Sequence, residues 1–210
     1  MLNLKKLQDL SKTLYPIFEI FYSIQGEGEH SGMPAVFVRL GGCDVGCHWC
    51  DVKESWDASK NKQISTDEII SKVKSFNCKT VIITGGEPLI YNLDYLTSEL
   101  KSLDFKIHIE TSGAYPISGT FDWVCFSPKK FKKPIENFGL NANELKVVIY
   151  NKSDFQWAEE VRKTVKSNCK LFLQPEWSKR KTANKLIVDY IKTNNEWKIS
   201  IQTHKFLEIP

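Results

Sequence analysis

The chain has 210 residues, 41% apolar and 26% charged, with a formal net charge of +4. A chain of that length most often forms one domain and buries about 70% of its unfolded surface, enough for a core without staples. No apolar run approaches the roughly 18 residues of a membrane span, and Met1 to Tyr15 lacks the unbroken apolar centre of a secretory signal, so a cytoplasmic protein without membrane contact is expected.

In chain order, Leu4, Leu7, Leu10 and Leu14 recur at helical spacing, which predicts an N-terminal helical extension over residues 1–16 ahead of a core at 17–210. Ile17 to Ile24 alternates and reaches a tight turn, Gln25-Gly26-Glu27-Gly28. Short β-branched or aromatic runs follow at 35–40, 80–84, 106–110, 123–126, 145–150, 170–174 and 198–202. Amphipathic stretches at 66–76, 93–103, 153–167 and 181–193 lie between several of them, with Thr66 and Ser153 as N-cap candidates. Strands alternating with helices predict parallel βα units with right-handed crossovers. Six or seven such strands make an incomplete TIM-type barrel, since eight units typically take about 250 residues. The lysines are mostly interleaved with acidic residues, and Lys129 to Lys133 is the one tight basic run, so no nucleic-acid partner is expected.

Polar groups follow nearly every run: the glycine-cysteine segment after 35–40, Gly85-Gly86-Glu87-Pro88 after 80–84, and Glu110-Thr111-Ser112-Gly113 at the third run. Ser127-Pro128-Lys129, Gln174-Pro175-Glu176 and Gln202-Thr203-His204-Lys205 close later ones. In a parallel sheet those ends open on one mouth, where ligands bind. That asymmetry predicts an enzyme.

Cys78, Cys125 and Cys169 stand singly in or beside apolar segments, as small buried hydrophobes do. Cys43, Cys47 and Cys50 are crowded on a loop with Gly41, Gly42 and Gly46. Three thiolates on such a loop can wrap an iron–sulfur cube and leave its fourth iron free, whereas closed zinc sites and fully ligated clusters take four ligands. His48, inside the last turn, is expected to point away. By spacing alone, a zinc knuckle borrowing a distant histidine and three unconnected thiols remain alternatives.

Cys43-x3-Cys47-x2-Cys50, with Trp49 before the last cysteine, resembles the signature of the radical S-adenosylmethionine (SAM) superfamily. Thr84-Gly85-Gly86-Glu87-Pro88 resembles its SAM-binding segment. The resemblance implies a [4Fe–4S] cluster whose open iron chelates SAM and cleaves it to a 5′-deoxyadenosyl radical. Glycines at 85 and 86 would let the backbone approach the methionine amino group, with Glu87 near positive charge.

From about Glu19 onward the chain further resembles one family, the 7-carboxy-7-deazaguanine synthases of queuosine (7-deazapurine) biosynthesis. The match rests on Gln25-Gly26-Glu27-Gly28, Phe37-Val38-Arg39, Cys50-Asp51, Asn143 to Val148, Gln174-Pro175 and Gln202-Thr203-His204-Lys205, besides the segments above. It implies a lyase that contracts the ring of 6-carboxy-5,6,7,8-tetrahydropterin with loss of ammonia, using SAM catalytically, a magnesium ion and a reductant such as flavodoxin or ferredoxin, in a homodimer. Carried over by position, Gln25, Gly26, Glu27, Arg39, Thr84, Glu110, His204 and Pro210 would hold the pterin. Gly85, Gly86, Glu87, Ser127, Lys129 and Gln174 would hold SAM. A carboxylate suits a pterin's amidine-like edge, and the Arg39 fork suits its carboxylate. One position departs from the pattern: Val52 stands where the family has Thr or Ser beside magnesium, leaving Ser55 as the nearby hydroxyl. The cysteines and glycine segment alone would equally serve another small radical SAM enzyme, such as a glycyl-radical activase, or a cluster-binding module without SAM cleavage.

Overall fold

The computed structural model describes residues 13–210. Strands β1 (Leu14–Ile24) and β2 (Pro34–Leu40) pair antiparallel, and short β3 (Lys62–Ser65) pairs antiparallel with the start of β1. From β2 onward the sheet is parallel. β4 (Thr80–Gly85), β5 (Lys106–Thr111), β6 (Trp123–Phe126), β7 (Glu144–Ile149), β8 (Lys170–Pro175) and β9 (Trp197–Ile199) follow in turn. The order β3-β1-β2-β4-β5-β6-β7-β8-β9 leaves two unjoined edges, so the barrel is incomplete. Helices α1 (Thr66–Lys74), α2 (Asp94–Ser102), α3 (Ser153–Arg162) and α4 (Arg180–Ile191) pack against the strands, and a short α5 (Thr203–Leu207) follows β9.

The parallel strands are those expected, and the sheet gains β1 and β3 beside them. β3 carries exposed Lys62 and Gln63, a polar pattern that gives no strand signal. Three local expectations need correction. Residues 14–16 belong to the sheet, not to a helical extension: Leu14, Tyr15 and Pro16 pair with Ser65, Ile64 and Gln63. Tyr15 is buried and its hydroxyl donates to the Asn92 carbonyl at 2.8 Å. The rest of the expected extension lies outside the described residues. The cap of α1 is Ser65, not Thr66; Ser65 accepts from the Glu68 N–H while Glu68 accepts from the Ser65 N–H, a capping box. Ser153 sits in the first turn of α3, where its N–H donates to Asn151 Oδ1.

Strand alternation divides the chain's chemistry between two faces. Val36, Val38, Leu40, Val81, Ile83, Ile107, Ile109, Leu145, Val147 and Ile149 belong to the main core, packed under the helices. Their neighbours Arg39, Thr84, Glu110, Lys146 and Val148 face the concave side and line its cavity. Apolar burial on the convex face at roughly 25 cal/mol per Å² stabilises the sheet. The concave face is thereby released to carry polar groups.

Candidate active site

A cavity of about 640 Å³ opens at the C-terminal ends of the parallel strands. Of the residues expected to hold cluster, SAM or pterin, every one lines it. Ser55, the hydroxyl alternative for magnesium, does not: it is 1% exposed, and its Oγ donates to the Val52 carbonyl at 2.8 Å. The Val52 side chain is at the cavity wall.

The loop after β2 presents Cys43, Cys47 and Cys50, all free thiols. Its backbone is tied to the following turn: Gly42 N–H donates to Ser55 O at 2.6 Å and Cys43 N–H to Trp56 O at 3.1 Å. The Trp56 indole N–H approaches Cys50 Sγ at 3.4 Å. Across the loop lies the turn after β4, where Glu87 N–H donates to Gly42 O at 2.9 Å. A Cβ on Gly86 would stand 2.1 Å from Gly42 O and 2.7 Å from Cys43 Cβ. The glycine is thus required by the protein itself, because the two turns touch there. The space that the Gly-Gly pair was expected to leave for a ligand is filled, at Gly86, by the cysteine loop.

These residues fit an iron–sulfur cluster. All three thiols reach one cavity, and His48 turns instead to the rings of Trp49, Phe131 and Tyr150. Among the described residues no three His, Cys, Asp or Glu side chains converge as ligands of one metal ion would. A cube asks for sulfurs that stand apart, since each thiolate takes a different iron. Burial pushes the Cys47 thiol up to about 11, partly opposed by the Lys129 ammonium, so iron must displace a proton there. Burial likewise depresses Lys129, whose Nζ donates to the Ser127 carbonyl and, at 2.7 Å, to Ser127 Oγ.

Glu87 is 1% exposed and forms no ion pair among the described residues. Its Oε1 accepts from Thr111 Oγ1 at 2.6 Å and Leu89 N at 3.1 Å, and its Oε2 accepts from Ser112 N at 2.8 Å and from Ser112 Oγ. Four donors occupy the carboxylate, which ties the β4 turn to the end of β5. Glu87 positions the cysteine loop's neighbour, and the Lys129 ammonium acts on it electrostatically, in keeping with the expected positive charge.

Deeper in the cavity, Lys146 is buried between two carboxylates, donating to Glu27 Oε2 at 2.6 Å and Glu110 Oε2 at 2.8 Å. Glu27 Oε1 accepts from Gln202 at 2.8 Å and Glu110 Oε1 from Gln25 at 3.0 Å. Burial alone would raise Glu27, but the Lys146 charge and hydrogen bond outweigh it and hold the carboxyl at about 2. Arg39 is neither a solvated edge charge nor fully engaged. Its Nε donates to Glu19 at 2.7 Å, and its Nη groups find no acceptor among the described residues. His204 packs on Gly26, where a Cβ would stand 2.0 Å from its Nδ1. Burial lowers His204 and favours its neutral form. The Pro210 carbonyl accepts from Ser23 Oγ at 2.9 Å, and Gln174 accepts from Ser200 at 2.8 Å.

Residues 37–120 match the family model of the radical SAM superfamily. A 7-carboxy-7-deazaguanine synthase from Flavobacterium psychrophilum is 52% identical over 94% of this chain and 93% of its own. The Escherichia coli K12 synthase is 34% identical over 93% of this chain and 99% of its own. The chain belongs to the 7-carboxy-7-deazaguanine synthase family. A crystal structure of QueE from Escherichia coli superposes with a TM-score of 0.82 at 32% identity, covering 91% of this chain and 95% of that one.

As a member of this synthase family the chain is a radical SAM enzyme, for which a [4Fe–4S] cluster and SAM are implied. Sequence reasoning missed Lys146, Gln202 and Glu19 as parts of the site. Lys146 had a signal: a lysine among the apolar residues Leu145, Val147, Val148 and Ile149 of β7. Glu19 had none, because its pairing with Arg39 depends on strand register. Among the described residues no helix is long and apolar enough to cross a membrane.

Proposed function

We propose that the chain contracts 6-carboxy-5,6,7,8-tetrahydropterin to 7-carboxy-7-deazaguanine with release of ammonia. The observation that carries this reading is a single cavity bringing the three cysteines together with Gln25, Glu27, Arg39, Glu110 and His204. Loss of ammonia alone balances the conversion, so no net oxidant or reductant is consumed and SAM serves catalytically. When bound on Cys43, Cys47 and Cys50, the cluster and SAM supply the one-electron chemistry that starts hydrogen abstraction from the substrate.

The remaining work falls to this chain's own groups. Gly85, Ser127, Lys129 and Gln174 border SAM, with Gly86 and Glu87 setting the turn they share. Glu27 and Glu110 accept hydrogen bonds from the pterin's amino edge, and the Nη groups of Arg39 take its carboxylate. Neutral His204 offers one donor and one acceptor nitrogen. Thr84 and Pro210 border the ring, and Gly26 lets His204 close over it.

A homodimer, a flavodoxin- or ferredoxin-type donor and magnesium complete the reading. Magnesium would depend on substrate oxygens and water, since Val52 offers none and Ser55 is turned away. Val52→Thr is then expected to raise magnesium affinity in turnover about tenfold. An unchanged magnesium titration would sink that role for position 52. The deciding experiment is an anaerobic incubation of reconstituted protein with SAM, magnesium, reductant and the carboxylated tetrahydropterin, read by mass spectrometry. Deazaguanine formed with little SAM loss supports the reading. 5′-Deoxyadenosine without deazaguanine would leave a radical SAM enzyme of another substrate, such as the glycyl-radical activase, which no present observation favours.

A further inference from the structure

Among the described residues Lys146 is the one buried lysine, with a side chain 4% exposed. Its two carboxylate partners come from different elements. Glu27 lies on the turn after β1 and Glu110 on β5, and each spends its second oxygen on a glutamine amide, Gln202 and Gln25 respectively. Both facing oxygens lie within 2.8 Å of one nitrogen, which places them less than about 6 Å apart. Two carboxylates that close, without a cation, cannot both stay ionised cheaply; one takes up a proton in the neutral range.

We infer that Lys146 is the positioning residue that keeps Glu27 and Glu110 together, both ionised, as a pair of hydrogen-bond acceptors for the substrate's donor edge. This deepens the functional reading above and rests on it. The arrangement differs from an ordinary buried ion pair in one respect. A single ammonium serves two anions that the substrate also needs, so the cation sets the shape and the charge of the recognition surface together. An ammonium has three donors, and only two of Lys146's find acceptors among the described residues. The third is available to an acceptor atom of a bound ring in the cavity that Lys146 lines.

Other charged groups face this cluster. Cys125 projects from β6, Glu144 from β7 and His204 from α5, and Lys129 follows β6; all four act electrostatically on Lys146 or Glu27. Glu144 is held by the Glu29 N–H and the Trp123 indole, so it does not compete for the Lys146 hydrogen bonds. Lys146 also lowers His204, so the comparison of wild type with K146M is repeated in a His204→Gln background, which removes that titration.

The test measures binding of the carboxylated tetrahydropterin to anaerobic, cluster-loaded enzyme by calorimetry from pH 6 to pH 8.5, for wild type, K146M and K146R. If one carboxyl of the unbalanced pair titrates about half a unit above neutrality, K146M loses roughly 30-fold in affinity at pH 6 and almost none at pH 8.5. The variant-to-wild-type ratio of Kd therefore changes about 30-fold across the range. K146R, which keeps the charge, holds that ratio flat. Cluster content and far-UV circular dichroism matching wild type show that the K146M fold is intact. If K146M does not load its cluster, K146Q carries the same measurement. A ratio independent of pH in the charge-neutral variant, or a K146R that behaves as K146M does, overturns the inference. Wild-type enzyme that neither binds nor converts the pterin would instead defeat the functional reading.

Discussion

Glu87→Gln isolates the contribution of a single charge at an unchanged shape. In the wild type each carboxylate oxygen receives one backbone N–H and one hydroxyl: Leu89 N and Thr111 Oγ1 on one, Ser112 N and Ser112 Oγ on the other. A glutamine must present its NH2 to one of these pairs. A hydroxyl can rotate to accept from it, but a backbone N–H cannot, so one buried N–H is left facing another donor. The rotation is itself obstructed, because Thr111 Oγ1 already accepts from Gly113 N at 3.1 Å and Ser112 Oγ from Ala114 N at 3.3 Å. An orphaned buried donor costs about 1–3 kcal/mol, and the remaining bonds lose their charge assistance. The sum is roughly 2–4 kcal/mol, equivalent to about 5–15 °C in Tm for a chain of this size. Anaerobic urea unfolding of wild type and E87Q, with equal m-values, gives the difference directly. Iron content after reconstitution reports whether the cysteine loop follows, since Glu87 N–H is bonded to Gly42 O. A destabilisation below about 1 kcal/mol would refute the reasoning, because it would mean the four donors are satisfied without the second anionic oxygen.

Gly86→Ala drives a Cβ into the Gly42 carbonyl and Cys43 Cβ, and overpacking against backbone costs about 1–3 kcal/mol or more. Iron bound after reconstitution should fall by more than about half, and full occupancy would count against the contact. His108 is 7% exposed beside His30 and Trp123, and burial lowers it to about 4. Below the unfolded value near 6.5 the unfolded chain binds the proton first, so stability is full above that pH and falls toward pH 4. His108→Gln should therefore remove up to roughly 3 kcal/mol of the acid-induced loss; parallel stability–pH curves for the two proteins would exclude this role. Arg39→Lys keeps charge but loses the planar fork, and should weaken pterin binding about tenfold while leaving SAM cleavage intact. Equal affinity would remove Arg39 from carboxylate recognition.

Much of the site was readable from local spacing. The three cysteines lie within one eight-residue loop, and glycine pairs and polar groups follow apolar runs, so topology gathers them whatever the details of packing. The seven parallel strands were equally legible, because all but the edge strand β9 lie between two neighbours, with helices covering one face.

Where a side chain's partner lies far away in sequence, only the tertiary structure decided. Glu87 was expected near positive charge, and the structure adds a knot of hydrogen bonds, since Thr111 and Ser112 reach it only when β4 and β5 lie side by side. Gly86 looked like room for a ligand and proved to be room for the cysteine loop. Ser55 looked available and is buried against its own turn. Lys146 sits 119 residues from Glu27, and its pairing required the barrel to curl until β7 faced the turn after β1. Residue order determined which chemistry the chain carries and at which strand ends. Register, curvature and burial decided which of those groups meet, because charge balance and steric contact depend on distances that exist only after the sheet has curled around its cavity.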